Sequence, residues 1–302
     1  MASPPRLHGP IAKPLEFREL SEDVKRLREA QRKHDELLEQ VLRPAVAAHV
    51  TACRGALEWA KAQHLRVVEV TDLDPASHTI AAAIWLLAGR CLGLLEALWI
   101  QVEGGIDNEA LITGRAIHEA TQVLFVMTDP ESEAQVRVWL ADEGKYGYVT
   151  ASAARKAQEA FDVRLAAAMK EMGAEPLDSQ AARAISADLY DRMSRTAHNR
   201  RSSCLNSYWT DGREMAYGVH DSPLRRAGAT AWGQTMTVEV VQVVGDALGQ
   251  FYEQGFYFRA VQPVVEGLAE VEANAPINER TMNALAQLTT AEVATLVATP
   301  NE

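Results

Sequence analysis

The residues with the most obvious chemistry lie in the stretch "LYDRMSRTAHNRR", residues 189–201. It gathers four arginines around one histidine, His198, and from Arg192 to Arg201 it contains no carboxylate. Imidazole gains and loses a proton near neutral pH, and guanidinium groups pair with phosphates and carboxylates. The whole chain has a formal net charge of −11, so this positive charge runs against the overall balance. The stretch is therefore a candidate site.

Residues 179–205 are predicted to form the helix that carries this cluster. Tyr190, Ser194 and His198 are spaced i, i+4, i+8 and so share one face, which arginines flank. A neighbouring apolar stripe would anchor the helix to a core, which places the polar row at the edge of burial. The same row also suits a structural hydrogen-bond network, and a run of arginines also suits a solvated helix face.

A second pair of polar residues lies in residues 109–128, "EALITGRAIHEATQVLFVMT". This predicted helix is apolar on nearly every side, which is typical of a buried helix. Arg115 and Glu119 are four residues apart within it, and unpaired buried charges are costly. We therefore expect both to be buried and to pair with each other or with Tyr190, Ser194 or His198. A buried salt bridge that only specifies the fold is the alternative.

These two stretches resemble a known family. "RMSRTAH" resembles the Arg-x(4–6)-His motif of HEPN domains, which are all-α bundles found in many bacterial toxins and defence ribonucleases. "GRAIHEATQVLFVM" and "LYDRMSRTAH" together are similar to bacterial HEPN-like proteins with Arg-x3-Glu on one helix and Tyr-x3-Ser-x3-His on a later one. The resemblance covers about residues 78–255. One departure is Met193, because active HEPN ribonucleases usually have a polar residue after the motif arginine.

The resemblance implies metal-independent cleavage of RNA by a toxin or antiviral defence protein, with no cofactor. It also implies a homodimer and an antitoxin or defence partner protein. The implied roles are acid–base catalysis by His198, phosphate binding by Arg192 or Arg195, orientation of the imidazole by Ser194 or Tyr190, support from Arg115 and Glu119, and binding of RNA phosphates by Arg200 and Arg201. The alternative is a catalytically silent HEPN-like bundle that binds a partner protein, RNA or nucleotide; Met193 and the acidic balance favour it.

The elements that would position these residues are helices, so we predict an all-α, HEPN-like helical bundle. Residues 1–72 form extra N-terminal helices packed on the core, 73–272 the bundle, and 273–302 a weakly ordered tail. Pro44 should end or bend the first helix, which begins near Glu16, and a shorter one should cover about Ala47–Gln63. Asp74 should cap the next helix, with Pro75 at its first position. Residues 206–229 look like a loop, and a final core helix should begin near Thr230.

Other features limit the possible functions. Arg90 and Glu96 interrupt the most apolar stretch, which favours a buried core helix over a membrane span. The N-terminus lacks a secretory signal pattern. Three widely spaced cysteines indicate neither disulfides nor a zinc site and fit a reducing cytoplasm. His118 and Glu119 begin like a zinc-protease helix, but residue 122 is Gln instead of the second His. The remaining histidines lack metal-ligand spacing, and phosphate-loop and nucleophile-elbow motifs are absent.

Overall fold

The computed structural model describes residues 22–128, 209–210, 214–215, 223–253 and 255–277. Within them are five α-helices: α1 (Glu22–Val70), α2 (Ile80–Glu103), α3 (Asp107–Thr128), α4 (Pro223–Leu248) and α5 (Gln262–Asn274). A 3-10 turn, Gly249–Phe251, and a π-helical turn, Tyr257–Val261, lie between α4 and α5. The short strands β1 (Trp209–Thr210) and β2 (Glu214–Met215) pair antiparallel. The predicted all-α fold is confirmed for this part of the chain.

The first helix is longer than predicted, because α1 continues through Pro44. The predicted end of the helix at Pro44 is wrong, and so is the separate helix after it. Proline lacks an N–H and its ring crowds the preceding turn, but Pro44 is on the exposed side of α1. The buried stripe continues on the opposite side, from Leu38 and Leu42 to Cys53 and Leu57. Packing of this stripe outweighs the local penalty of the proline.

The predicted N-terminus of α2 is also wrong. Asp74 caps a turn, in which its carboxylate accepts a hydrogen bond from the N–H of Ala76 at 2.9 Å. Helix α2 begins at Ile80, six residues after Asp74, and the hydroxyl oxygen of Thr79 accepts a hydrogen bond from the N–H of Ala82 at 3.2 Å. Both residue types are good caps, and the apolar run that can be buried begins only at Ile80.

Helix α4 begins at Pro223, seven residues before the predicted start, so the last part of the expected loop is helical. Proline suits the first position of a helix, because its missing N–H needs no partner there. Ala227 is buried against Leu38 and Leu42 of α1, with Leu224 packed beside them. This contact with a distant helix stabilises the first turns of α4.

The main cluster of buried apolar side chains among the described residues is shared by α1, α2, α3 and α4, together with Val261 of the π-helical turn and Leu268 of α5. Trp99 of α2 is fully buried, and its indole N–H donates to the hydroxyl of Thr237 at 2.9 Å. A β-carbon on Gly233 would lie 2.9 Å from the ring of Trp99, and one on Gly114 would lie 2.7 Å from the ring of Trp232. Glycine at these two positions allows the tryptophans to pack directly on the neighbouring helix.

Helix α2 is the one helix among the described residues that is long and apolar enough to cross a membrane. Core helices of soluble proteins share that length and composition. In α2, eleven residues from Ala82 to Val102 are buried, and α1, α3 and α4 all pack against it. The buried side of α2 therefore agrees with the prediction of a core helix.

Two histidines of α1 tie it to other elements. The imidazole Nε2 of His64 donates to the carbonyl oxygen of Trp85 at 2.9 Å, the indole N–H of Trp85 donates to the carbonyl oxygen of His64 at 3.0 Å, and the two rings stack. Burial lowers the pKa of His64 despite the bond to Trp85. His49 is fully buried and hydrogen-bonds the carbonyl oxygen of Ala275 at 2.8 Å. The first contact joins the consecutive helices α1 and α2, and the second joins α1 to the residue that follows α5.

Candidate functional site

Most of the predicted site residues lie outside the described part of the chain. These are Tyr190, Arg192, Ser194, Arg195, His198, Arg200 and Arg201. Their roles and their proximity to α3 therefore stay predictions. Arg115 and Glu119 are described, and the polar groups around them on α3 and α4 form the candidate site.

The predicted pairing of Arg115 with Glu119 is confirmed, but the predicted burial of Glu119 is wrong. Nε of Arg115 donates to Oε1 of Glu119 at 2.8 Å, across one turn of α3. The side chain of Glu119 is 52% exposed and that of Arg115 is 21% exposed. Helix α3 packs on α2 and α4 and keeps an open side, where Ile112 is also exposed. The apolar composition of α3 therefore did not mean that every side of the helix is buried.

Next to this pair, His118 is bound to a carboxylate from α4. Nδ1 of His118 is 2.9 Å from Oε1 of Glu239, and the hydroxyl of Thr121 is 2.6 Å from the same oxygen. The imidazole is 9% exposed and the Glu239 side chain 24% exposed. Because an ionised carboxylate can only accept hydrogen bonds, Nδ1 carries a hydrogen. Glu239 thus fixes both the orientation and the tautomer of the ring.

The other ring nitrogen of His118 faces the side chain of Gln122, one turn further along α3. Nε2 of the imidazole lies 3.0 Å from the amide nitrogen of Gln122. In the neutral ring, Nε2 accepts a hydrogen bond from this amide. In the protonated ring, Nε2–H is a donor, so the amide must turn its oxygen towards the ring. The amide of Gln122 can therefore hydrogen-bond the His118 ring in either charge state.

The charges around His118 favour its protonated form. Burial lowers the pKa of His118, but the hydrogen bond that its Nδ1–H donates to Glu239 and the negative charges of Glu239 and Glu119 together raise it by more, so the net pKa is raised. The thiol of Cys91, on α2, also experiences the charge of Glu239, and burial together with that charge raises the pKa of Cys91 to about 12. His118 is thus suited to proton transfer, whereas Cys91 is held as a thiol.

Four side chains form a polar ridge along α3: Arg115, His118, Glu119 and Gln122. Their spacing of i, i+3, i+4 and i+7 places them on one side of the helix. The ridge combines a guanidinium that can bind an anion with an imidazole held by a carboxylate. Among the described residues, no cluster of three or more metal-ligating side chains occurs. The ridge therefore places an imidazole, a group that can transfer protons, next to a guanidinium that is paired with Glu119.

Sequence reasoning missed the partnership of His118 with Glu239. His118 was considered only as the first residue of an incomplete zinc signature. Two signals were present: the i, i+4 spacing of His118 and Gln122, and Glu239 as the lone charge in the apolar run "MTVEVVQVV", residues 236–244. A lone carboxylate among buried residues of a helix needs a polar partner. Its partner is 121 residues away in the sequence.

No family model, curated protein or solved structure matches this chain.

Proposed function

We propose that this protein is a metal-independent, HEPN-like ribonuclease of a bacterial toxin or antiviral defence system. The observation that carries the proposal is the polar ridge of α3, in which the Arg115–Glu119 ion pair lies beside an imidazole oriented by Glu239. An Arg-x3-Glu helix of this kind is one half of the HEPN-like pattern. The other half is the arginine and histidine cluster of residues 189–201. In this proposal the protein acts in the cytoplasm as a homodimer, with an antitoxin or defence protein as its partner.

In the proposed reaction, the 2′-oxygen of RNA attacks the neighbouring phosphorus and the bond to the 5′-oxygen breaks. One group must take the proton of the 2′-hydroxyl, and another must protonate the 5′-oxygen. His198 is the proposed proton-transfer group, with Ser194 or Tyr190 orienting it. Arg192 or Arg195 stabilises the charge that builds on the phosphate, because guanidinium hydrogen-bonds phosphate oxygens in a fixed geometry. Arg200 and Arg201 bind the flanking phosphates.

Arg115 and Glu119 support this reaction from α3. The ion pair holds the guanidinium at a fixed place on the ridge, and the open side of the helix leaves the pair accessible to a substrate. Glu119→Gln removes the charge while keeping the side-chain shape. We expect it to reduce cleavage without large loss of stability, because a half-exposed ion pair contributes only about 0–1 kcal/mol to folding.

The test is incubation of the purified full chain with total RNA in EDTA. Wild type should cleave, whereas His198→Ala and Arg192→Ala should each lose about 10²-fold or more in rate. His78→Ala is the matched control, since His78 is an exposed residue between α1 and α2, and it should cleave like wild type. Equal cleavage by all four proteins would rule out these catalytic residues. Absence of cleavage by the wild type would rule out the ribonuclease itself.

A catalytically silent bundle that binds a partner protein is the second candidate. The observation that favours it is the exposure of two apolar side chains that are neighbours on α1, three residues apart: Leu65 is 60% exposed and Val68 37%. Exposed apolar surface of this kind occurs at protein interfaces. This candidate predicts growth effects or partner binding that His198→Ala leaves unchanged. Comparing host growth on expression of wild type and His198→Ala separates the two candidates.

A further inference from the structure

We propose that a second copy of this chain packs on the outer face of α1 and α2, with the two copies related by a two-fold axis. The outer face lies on the side of each helix opposite its buried residues, and it is defined by three residues on each helix: Glu58, Ala62 and Arg66 on α1, and Arg90, Gly93 and Glu96 on α2. The inference rests on the proposed function only for the statement that the protein is a homodimer, and it gives that dimer a surface.

Helices α1 and α2 lie side by side and antiparallel, which aligns the centres of the two rows. Nζ of Lys61 is 3.0 Å from Oε2 of Glu96. Further along α1 and earlier on α2, a β-carbon on Gly89 would lie 3.0 Å from the ring of His64. The two small residues of the outer face lie between these contacts in the sequence. They are therefore at about the same level of the helix pair.

The charges on α2 are arranged so that this helix complements a second copy of itself. Arg90 and Glu96 are each three residues from Gly93, one before it and one after it. A two-fold axis that crosses α2 at Gly93 lays the two copies of α2 antiparallel. Arg90 of each copy is then level with Glu96 of the other, so opposite charges meet twice. Gly93 allows close approach at the axis, because a β-carbon there would meet no atom within 4 Å.

The charges on α1 have the same arrangement about the same axis. Glu58 and Arg66 are each four residues from Ala62, one before it and one after it. Since Ala62 is level with Gly93, the axis that pairs α2 with its copy also pairs α1 with its copy. Glu58 of each copy is then level with Arg66 of the other. Opposite charges on both helices are the observation that selects a second copy as the occupant of this face.

The ion pairs within one copy leave charge available on the outer face. Glu58 and Glu96 share one cation, because Nζ of Lys61 is 2.9 Å from the first carboxylate and 3.0 Å from the second. In the part of the chain that the structure describes, Arg66 and Arg90 form no ion pair. The second copy therefore supplies each of these carboxylates with an arginine, and each of these arginines with a carboxylate.

Apolar side chains lie on either side of the charges of α2. Leu86 is 49% exposed and Ile100 59% exposed, and each is seven residues from Gly93. The two-fold axis therefore sets Leu86 of one copy against Ile100 of the other, and the contact buries both. The stretch from Leu86 to Glu103 is roughly 27 Å long and two adjacent helices are roughly 20 Å wide. The outer face thus covers about 500 Å² on each copy, or about 1,000 Å² in the dimer, which is near the lower limit for a specific interface.

Charge reversal tests the pairing of Arg90 with Glu96. Sedimentation of the purified full chain over a range of micromolar concentrations should show a wild-type dimer that dissociates on dilution. Arg90→Glu sets carboxylates against each other at both symmetry-related pairs, and Glu96→Arg sets arginines against each other. Each variant alone should dimerise about 10-fold or more weakly than wild type. An equal mixture of the two variants should recover the dimer, because every position 90 then faces an opposite charge at position 96.

A bulky cation on the axis tests the centre of the interface. Gly93→Arg brings two guanidinium groups together at the axis and should abolish the dimer. Gly267→Arg is the matched control, because Gly267 is an exposed residue of α5 whose β-carbon would also meet no atom within 4 Å. This control should dimerise like wild type. Circular dichroism checks that each variant is folded, and the mixing experiment serves if Gly93→Arg is not.

The outcomes separate the surface from the dimer itself. A wild-type dimer that Arg90→Glu and Gly93→Arg leave unchanged, or a mixture of the charge variants that stays monomeric, would overturn the inference while the homodimer of the proposed function stands. A wild type that stays monomeric, alone or bound to lipid vesicles through this face, would overturn both. Cleavage of RNA in EDTA is measured separately, so the ribonuclease is tested whichever result the sedimentation gives.

Discussion

Alanine substitution at two glycines of α4 should change the stability of the protein in opposite directions. Gly228 and Gly233 are five residues apart in the same helix. A β-carbon on Gly228 would meet no atom within 4 Å, whereas one on Gly233 would lie 2.9 Å from the ring of Trp99. Trp99 is fully buried and its indole N–H is bound to Thr237, so it has little room to move. The two variants therefore carry the same chemical change in different space.

The magnitude follows from two effects. Alanine in a helix interior is favoured over glycine by about 0.5–1 kcal/mol, and Gly228→Ala should gain this in free energy of unfolding. Gly233→Ala gains the same amount but overpacks the core, at a cost of about 1–3 kcal/mol. Because the helix preference is common to both variants, the difference between them isolates the steric cost of about 1–3 kcal/mol.

Urea unfolding monitored by circular dichroism measures this difference. With an m-value of about 3 kcal/mol/M, the midpoints of the two variants should differ by roughly 0.3–1 M. The m-values should stay equal, since neither change alters the area exposed on unfolding. If Gly233→Ala stabilises the protein as much as Gly228→Ala does, α4 does not pack on Trp99 as described.

Three further predictions concern single groups. The pKa of His118 is raised in the folded protein, so the stability that His118 contributes is fully present below about pH 6.5, the pKa of unfolded histidine, and is lost as the pH rises through the folded pKa. The urea midpoint of the wild type should fall accordingly between pH 5 and 9, and that of Glu239→Gln should lack this dependence. Tyr252→Phe removes the hydrogen bond from the phenol to the carbonyl oxygen of Gln63, 2.6 Å long, and should lower the free energy of unfolding by about 0.5–1.5 kcal/mol. Cys53 and Cys91 are buried with pKa values raised to about 12, so peptide mass spectrometry should find both unmodified by iodoacetamide at pH 8 until denaturant is added.

The sequence predicted those parts of the fold that depend on local patterns. The apolar period placed α3 at 109–128, against Asp107–Thr128 in the structure, and α2 to about Val102, against Glu103. The apolar period failed where a contact with a distant part of the chain determines where a helix begins or ends. Pro44 lies within a helix because its neighbours pack on α4, and α4 begins at Pro223 because Ala227 packs on α1. Tertiary contacts of this kind cannot be seen in a local window.

The candidate site shows the same division. The i, i+4 pairing of Arg115 and Glu119 is a local property of a helix, and it was predicted correctly. The exposure of Glu119 depends on which side of α3 the other helices cover, so apolar composition was a poor guide to it. The bond between His118 and Glu239 joins two helices that are far apart in the chain. In the sequence, only the single carboxylate of Glu239 within an apolar stretch indicated that a polar partner was required.

The long first helix has a consequence for how the protein is made. The apolar side of α1 is covered largely by α4, which begins more than 150 residues after α1 ends. A ribosome that adds about 5–20 residues per second reaches α4 roughly 8–30 s after completing α1. During this interval α1 lacks its contacts with α4, so we expect nascent chains to need chaperones or temporary burial of this side of the helix. Fragments that stop before Pro223 should accumulate as aggregates in the cell.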